Sequence, residues 1–169
     1  WIHNNTGIGV RVNVGAVGVQ IDTVHVRADP AAPGTAGFRI EGDQTSLTGC
    51  SAWGHANHGI TITPDATGTR VDGCLAVSNT VTGVKIAGAQ TSVSATVATQ
   101  NPGNGVRVEA SRTVLNGVAA VANNAAGMCC TVDQNTFATL RGMRLILADG
   151  AVLDTDDAAC LAAFRSSHA

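Results

Sequence analysis

The sequence predicts an all-β fold, a parallel β-helix whose coils each carry three short strands. Three observations point to it. First, GVKIAGAQTSVSATVATQN, starting at Gly83, and GVRVEASRTVLNGVAAVAN, starting at Gly105, overlay residue for residue 22 positions apart. Second, the 169 residues are 44% hydrophobic but only 3% aromatic, with 20 Gly and no Tyr. That mixture of Ala, Val, Ile and Gly suits short strands around a narrow core and does not suit long helices. Third, each repeat holds three alternating segments too short to bury a face alone, and stacking identical units gives them one continuous core.

The first strand signal of each unit is led by Gly: Gly9-Val-Arg-Val, Gly37-Phe-Arg-Ile, Gly59-Ile-Thr-Ile, Gly83-Val-Lys-Ile and Gly105-Val-Arg-Val, fading at Gly127-Met-Cys-Cys. The intervals are 28, 22, 24, 22 and 22 residues, and the excess falls in bends, which absorb insertions cheaply. The second signal is Ile21, Leu47, Val71, Val93 and Leu115, with Thr45, Thr69, Thr91 and Thr113 two residues ahead of the last four. The third is Val24/Val26, Cys50/Ala52, Cys74/Ala76, Thr96/Ala98 and Val118/Ala120. Asn5, His55, Asn79, Asn101 and Asn123 each stand four residues before the next Gly. Equivalent residues should therefore lie one above another at about 4.8 Å. The coils are expected over residues 1–130 and a C-terminal cap over residues 131–169.

VDGCLAVSN followed by GVKI resembles the right-handed parallel β-helix repeat of pectate-lyase-like enzymes, NosD-like carbohydrate domains and phage tailspikes. The resemblance implies contact with bacterial surface polysaccharide, as part of a tailspike-like shaft and as a homotrimer. It also leaves open a fragment of a polysaccharide lyase or glycoside hydrolase, or a spine that binds nothing, since many chemistries share this coil.

Alternation assigns the outward columns. Arg11, Arg39, Thr61, Lys85 and Arg107 form one, with Asn13, Glu41, Thr63, Ala87 and Glu109 beside it. Stacked like charges repel unless paired. Two readings stand: Arg39 pairs with Glu41 and Arg107 with Glu109 on a solvated face, or Arg39, Lys85 and Arg107 line a groove for an acidic glycan, whose carboxylates suit the guanidinium fork. On the second strand, Asp22 and Asp72 stand two rungs apart, about 9–10 Å, near the upper limit for an inverting carboxylate pair. They are the candidate catalytic residues, against a reading as plain polar surface. Trp53, His55 and His58 form a candidate sugar-stacking edge on a bend expected to be exposed. On the third strand Leu75, Val77, Val97, Thr99, Ala119 and Val121 point outward, an apolar patch that something should cover, either a second chain or this chain's own tail.

Net charge is −2, which gives no global attraction for nucleic acid, and no apolar run reaches the length of a membrane span. The five cysteines include no CxxC pair, which fits synthesis in a reducing compartment such as bacterial cytoplasm, with the product in a virion tail or outside the cell. Met128, Cys129, Cys130 and Met143 could suggest a soft metal, but no His spacing supports one, so neither metal nor cofactor is expected. Cys50 and Cys74 read as small buried apolar groups on neighbouring rungs. In the tail, MRLILADGAVLD reads as a hairpin about Asp149-Gly150 and DTDDAACLAAFRSS as a short helix. A chain that starts at Trp1 reads as a fragment.

Overall fold

The computed structural model describes residues 1–110 and 112–123 in full, and the strands at 126–130, 144–146 and 152–154 as backbone. Each coil gives one strand to each of three parallel sheets. The first sheet stacks Ile8–Val12, Ala36–Ile40, His58–Ile62, Thr82–Ile86, Asn104–Val108 and Ala126–Cys130. The second stacks Gln20–Asp22, Ser46–Thr48, Arg70–Asp72, Ser92–Ser94 and Val114–Asn116. The third stacks Ile2–Asn5, His25–Ala28, Ser51–Trp53, Leu75–Val77, Val97–Thr99 and Ala119–Val121. Among the described residues there is no helix.

The register is the one that the repeat predicts. Val10, Phe38, Ile60, Val84 and Val106 pair rung to rung, and so do Arg11, Arg39, Thr61, Lys85 and Arg107. Phe38, Ile40, Ile60, Ile62, Val84, Ile86, Val106 and Val108 have no exposed surface. They face Leu47, Val71, Val93 and Leu115 of the second sheet and the Ala52, Ala76, Ala98 and Ala120 column of the third in a single core. Small residues on the third sheet let the backbones approach closely. A Cβ built on Gly83 would lie 2.7 Å from the Gly105 carbonyl oxygen, 2.7 Å from Asn101 Nδ2 and 2.9 Å from the Ala98 Cβ. Gly9, Gly37, Gly59 and Gly83, each the second residue of its first-sheet strand, are therefore packing requirements, and the shortage of aromatics follows from the same narrowness.

The corners repeat as strictly as the strands. Between the second and third sheets, Thr23, Gly49, Gly73, Ala95 and Gly117 all adopt left-handed backbone, with φ between 46° and 62°. Their N–H groups reach the next rung: those of Thr23, Gly49, Gly73 and Ala95 donate to the carbonyls of Thr48, Asp72, Ser94 and Asn116. Ahead of the second sheet, the buried hydroxyls of Thr45, Thr91 and Thr113 donate to the carbonyls of Gly42, Gly88 and Ala110, three residues back. That bond accounts for Thr at three of the four places two residues ahead of the second signal; the hydroxyl of Thr69 is buried without a partner among the described residues.

Inside the remaining corner runs a polar ladder. Asn101 Oδ1 accepts from the backbone N–H and the side-chain amide of Asn79, and Asn101 Nδ2 donates to the Ala76 carbonyl. Asn123 treats Asn101 in the same way, donating in turn to the Ala98 carbonyl. Cys50 and Cys74 are buried, free, and donate weakly to nearby carbonyls. In the tail, Arg144–Ile146 pairs antiparallel with Val152–Asp154 and lies against Ala119–Val121 and Ala126–Cys130. The expected short helix and the side chains of Met128, Cys129, Cys130 and Met143 lie outside the described residues.

Substitutions at these glycines should rank by mechanism. Gly73→Ala meets no close atom but forces a side chain into left-handed backbone, and should cost about 1 kcal/mol. Gly83→Ala must displace backbone and the Asn ladder, and should cost about 3 kcal/mol. Ala95→Gly relieves a left-handed alanine and should gain up to about 1 kcal/mol, less the extra freedom of the unfolded chain. Urea unfolding of the three variants checks the order; a stability loss for Ala95→Gly would contradict the corner assignment.

Candidate functional site

The basic column of the first sheet does not stand free. Arg11 Nε and Arg39 Nε both donate at 2.7 Å to the two oxygens of Glu41, whose side chain is only 4% exposed. Three rungs higher the arrangement recurs: Lys85 Nζ lies 3.3 Å and Arg107 Nε 2.7 Å from opposite oxygens of Glu109. Each carboxylate thus bridges two cations stacked on neighbouring rungs. The expected in-rung pairs, Arg39 with Glu41 and Arg107 with Glu109, are present, and each glutamate takes a second cation from the rung below. The bond from Arg11, together with that from Arg39 and their charges, holds the Glu41 carboxyl below its ordinary 4.5 against the opposing effect of burial. Glu41 therefore acts by orienting two guanidinium groups, since it presents almost no surface of its own.

Between the two clusters the column reads Thr61, and Thr63 stands in the column that holds Glu41 one rung below and Glu109 two rungs above. The short side chains leave a notch. A cleft of about 290 Å³ opens there, walled by Arg39 from below and by Lys85 and Glu109 from above, with Asn57 and His58 at one end and Thr63 and Pro64 at the other. Its floor includes Thr61 and Ile62. His58 Nδ1 is buried without a protein partner among the described residues. The cleft therefore offers partly committed cations, an imidazole and a threonine floor, a set of donors suited to an anionic oxygen ligand. Among the described residues no cluster of His, Cys, Asp or Glu could hold a metal ion.

The other candidate residues separate. Asp22, Thr48 and Asp72 pair in register on the second sheet. Asp72 accepts from Ser94 Oγ at 2.6 Å and has Arg70 at 3.6 Å, while Asp22 is exposed. Neither lines the first-sheet cleft. His55 corrects an expectation. It is not on an exposed bend: it is fully buried and occupies the ladder column one rung below Asn79, whose Oδ1 accepts from the His55 backbone N–H. The physical reason is its position four residues before Gly59, the position that Asn79, Asn101 and Asn123 hold before their own glycines. Trp53 and His58 also do not form one edge. They belong to different sheets and line different clefts.

On the third sheet the outward columns pair as expected, with Leu75 beside Val97, and Val77 between Trp53 and Thr99. The patch is less open than alternation suggests. Val77 is 8% exposed, and Leu75, Val97 and Thr99 are half-buried, while Val121 and Trp53 remain exposed. Among the described residues no helix is long and apolar enough to cross a membrane.

A family model described as the right-handed β-helix region matches residues 1–137. No curated protein and no solved structure matches the chain.

Two histidines, the buried His55 and the half-buried His58, should give the fold a pH dependence. Burial pushes both His55 and His58 below the ordinary 6.5, and for His58 the nearby Lys85 adds to the effect while Glu109 opposes it. The folded chain therefore takes up protons at lower pH than the unfolded chain. Stability should be full above about pH 6.5 and decline as pH falls below it. His55→Asn would supply the amide that the higher rungs use, so it should flatten this decline and leave only the share of His58, with stability at pH 8 within about 1 kcal/mol of the parent. Urea unfolding across that range measures the slope; an unchanged slope would mean that the His55 ring titrates as it does in water.

Proposed function

Because the chain belongs to the right-handed β-helix family, we propose that it is the structural, glycan-contacting shaft of a larger assembly, akin to a phage tailspike or tail fibre that binds bacterial surface polysaccharide. The β-helix fold supports a structural or carbohydrate-related protein. The observation that carries the finer reading is the cleft at Thr61, set between two cation–carboxylate clusters. Each glutamate holds in place one cation of the cleft's wall before a ligand arrives, Glu41 fixing Arg39 and Glu109 fixing Lys85. Preorganised arginine and lysine favour a carboxylate-bearing sugar over a neutral one.

The same cleft could serve a polysaccharide lyase or hydrolase. Asp22 and Asp72 would then be expected near it, and their place on the second sheet favours binding over turnover. The outward apolar residues of the third sheet, Leu75, Val97, Thr99 and Val121, are the surface by which three copies would associate, and a virion tail is the setting that such a shaft fits.

Replacing Arg39 and Lys85 together by Ser should reduce retention on an immobilised uronic-acid polysaccharide by roughly tenfold or more, with the circular dichroism of the coils unchanged. The retention of the parent should also weaken as salt rises, because the contacts are charge-assisted. Equal retention of parent and variant would overturn the reading of this cleft.

A further inference from the structure

The third sheet changes character along the stack. Its upper rungs face outward with Leu75, Val97 and Ala119 in one column and Val77, Thr99 and Val121 in the other. On the two rungs below, the same columns read His25 and Ser51, then Arg27 and Trp53. Trp1 adjoins Ile2, which pairs with Val26, and so stands one rung below His25 in the first of these columns. Its ring centroid lies 4.6 Å from that of His25, and it stacks on His3 at 5.4 Å. A cleft of about 160 Å³ results, lined by Trp1, His25, Val26, Arg27, Ser51 and Trp53.

Three features define what this cleft can take. Both indoles line the cleft, and Trp53 is 43% exposed. The imidazole is fixed: His25 Nδ1 and Ser51 Oγ share a hydrogen bond of 2.7 Å, which leaves Nε2 without a protein partner among the described residues. Arg27 is exposed and, among the described residues, has no carboxylate partner, whereas Arg11, Arg39, Arg70, Lys85 and Arg107 are all paired. An uncommitted guanidinium beside two indoles and an anchored histidine matches a small ligand with one apolar face, several hydroxyls and a negative charge.

We propose that this cleft is a second carbohydrate subsite, which takes one acidic sugar residue with its C–H face on the indoles and its carboxylate on Arg27. The ligand class rests on the glycan reading given above, but the site shares no residue with the first-sheet cleft.

The chain carries only two tryptophans, and both line this cleft, while none lines the other. Intrinsic tryptophan emission therefore reports this site alone. Short oligosaccharides of glucuronic or galacturonic acid, titrated into the full chain, should give a saturable emission change. Neutral glucose or galactose oligomers of the same length should respond at least about tenfold more weakly, and Arg27→Gln should lose the same factor toward the acidic sugars. No saturable change with either acidic sugar in the folded chain overturns the proposal. So does equal affinity for neutral sugars, an Arg27→Gln variant that binds as the parent does, or an emission change that follows protein concentration in place of sugar, which would mark a contact between two copies. A silent emission together with retention that depends on Arg39 and Lys85 would remove this subsite and leave the first cleft standing; the converse would remove the first and leave this one.

Discussion

Rung-to-rung pairing in register is the constraint from which the rest of the molecule follows. A parallel rung repeats at about 4.8 Å, so each residue has as its nearest neighbours the residues one coil above and one coil below. Whatever is acceptable at one level must be acceptable against its own kind at the next. Val, Ile, Ala and Gly satisfy this inside, because they stack without bulk to displace. Asn satisfies it at the inner corner, because an amide both donates and accepts and so can bond to another amide above it. Stacked cations do not satisfy it, and this is why Glu41 and Glu109 each sit where two positive side chains of successive rungs can share one carboxylate.

The same constraint explains the two tightest spots in the coil. The opening glycines of the first sheet face both the Ala column and the ladder, so an extra carbon on Gly59 would lie 2.6 Å from Asn79 Nδ2 and 2.7 Å from the Gly83 carbonyl oxygen. The polar ladder and the apolar core are thus coupled: the amides can bond to the third-sheet carbonyls only because the facing strand has no side chain at that level. At the lower end His55 takes the ladder position with a larger ring whose two nitrogens have no side-chain partner, which makes that end of the ladder the one sensitive to acid.

Much of this was legible in the residues alone, and the parts that were not have definite physical causes. The three sheets, the inward columns and the outward ones follow from alternation within a strand and the fixed count between coils, and both are visible on the page. The in-rung pairs Arg39–Glu41 and Arg107–Glu109 were visible for the same reason. The cross-rung partners Arg11 and Lys85 stand in the same columns, but alternation fixes only which face a side chain leaves from, not whether a carboxylate reaches the cation a whole coil away as well as the one two residues away. His55 was misplaced because alternation does not hold through a bend that contains left-handed backbone, such as Gly54 at φ 73°. Its distance from Gly59 was the better guide. The cleft under Trp1 was legible only in part. Ile2 pairs with Val26, which sets Trp1 one rung below His25, but the pairing slips by one residue before Asn5 meets Ala28, so a single count does not carry through the whole strand.

A perfect repeat would produce a surface of uninterrupted ridges, and ridges hold no small molecule. Concavity in such a coil has to come from a break in a column. Thr61 is such a break: it withholds a long cation from a stack that has one on the two rungs below it and the two above, and the withheld volume becomes the cleft. The third sheet does the reverse at its lower end, where Arg27 and Trp53 bring large polar and aromatic groups into columns that above them hold only aliphatic residues and threonine. Natural sequences tend to depart from their own local rules where something other than folding is selected. Among the described residues, both of these departures coincide with a cavity that meets unsatisfied donors. The stacking that makes the protein so regular is therefore what makes its irregular residues readable as sites.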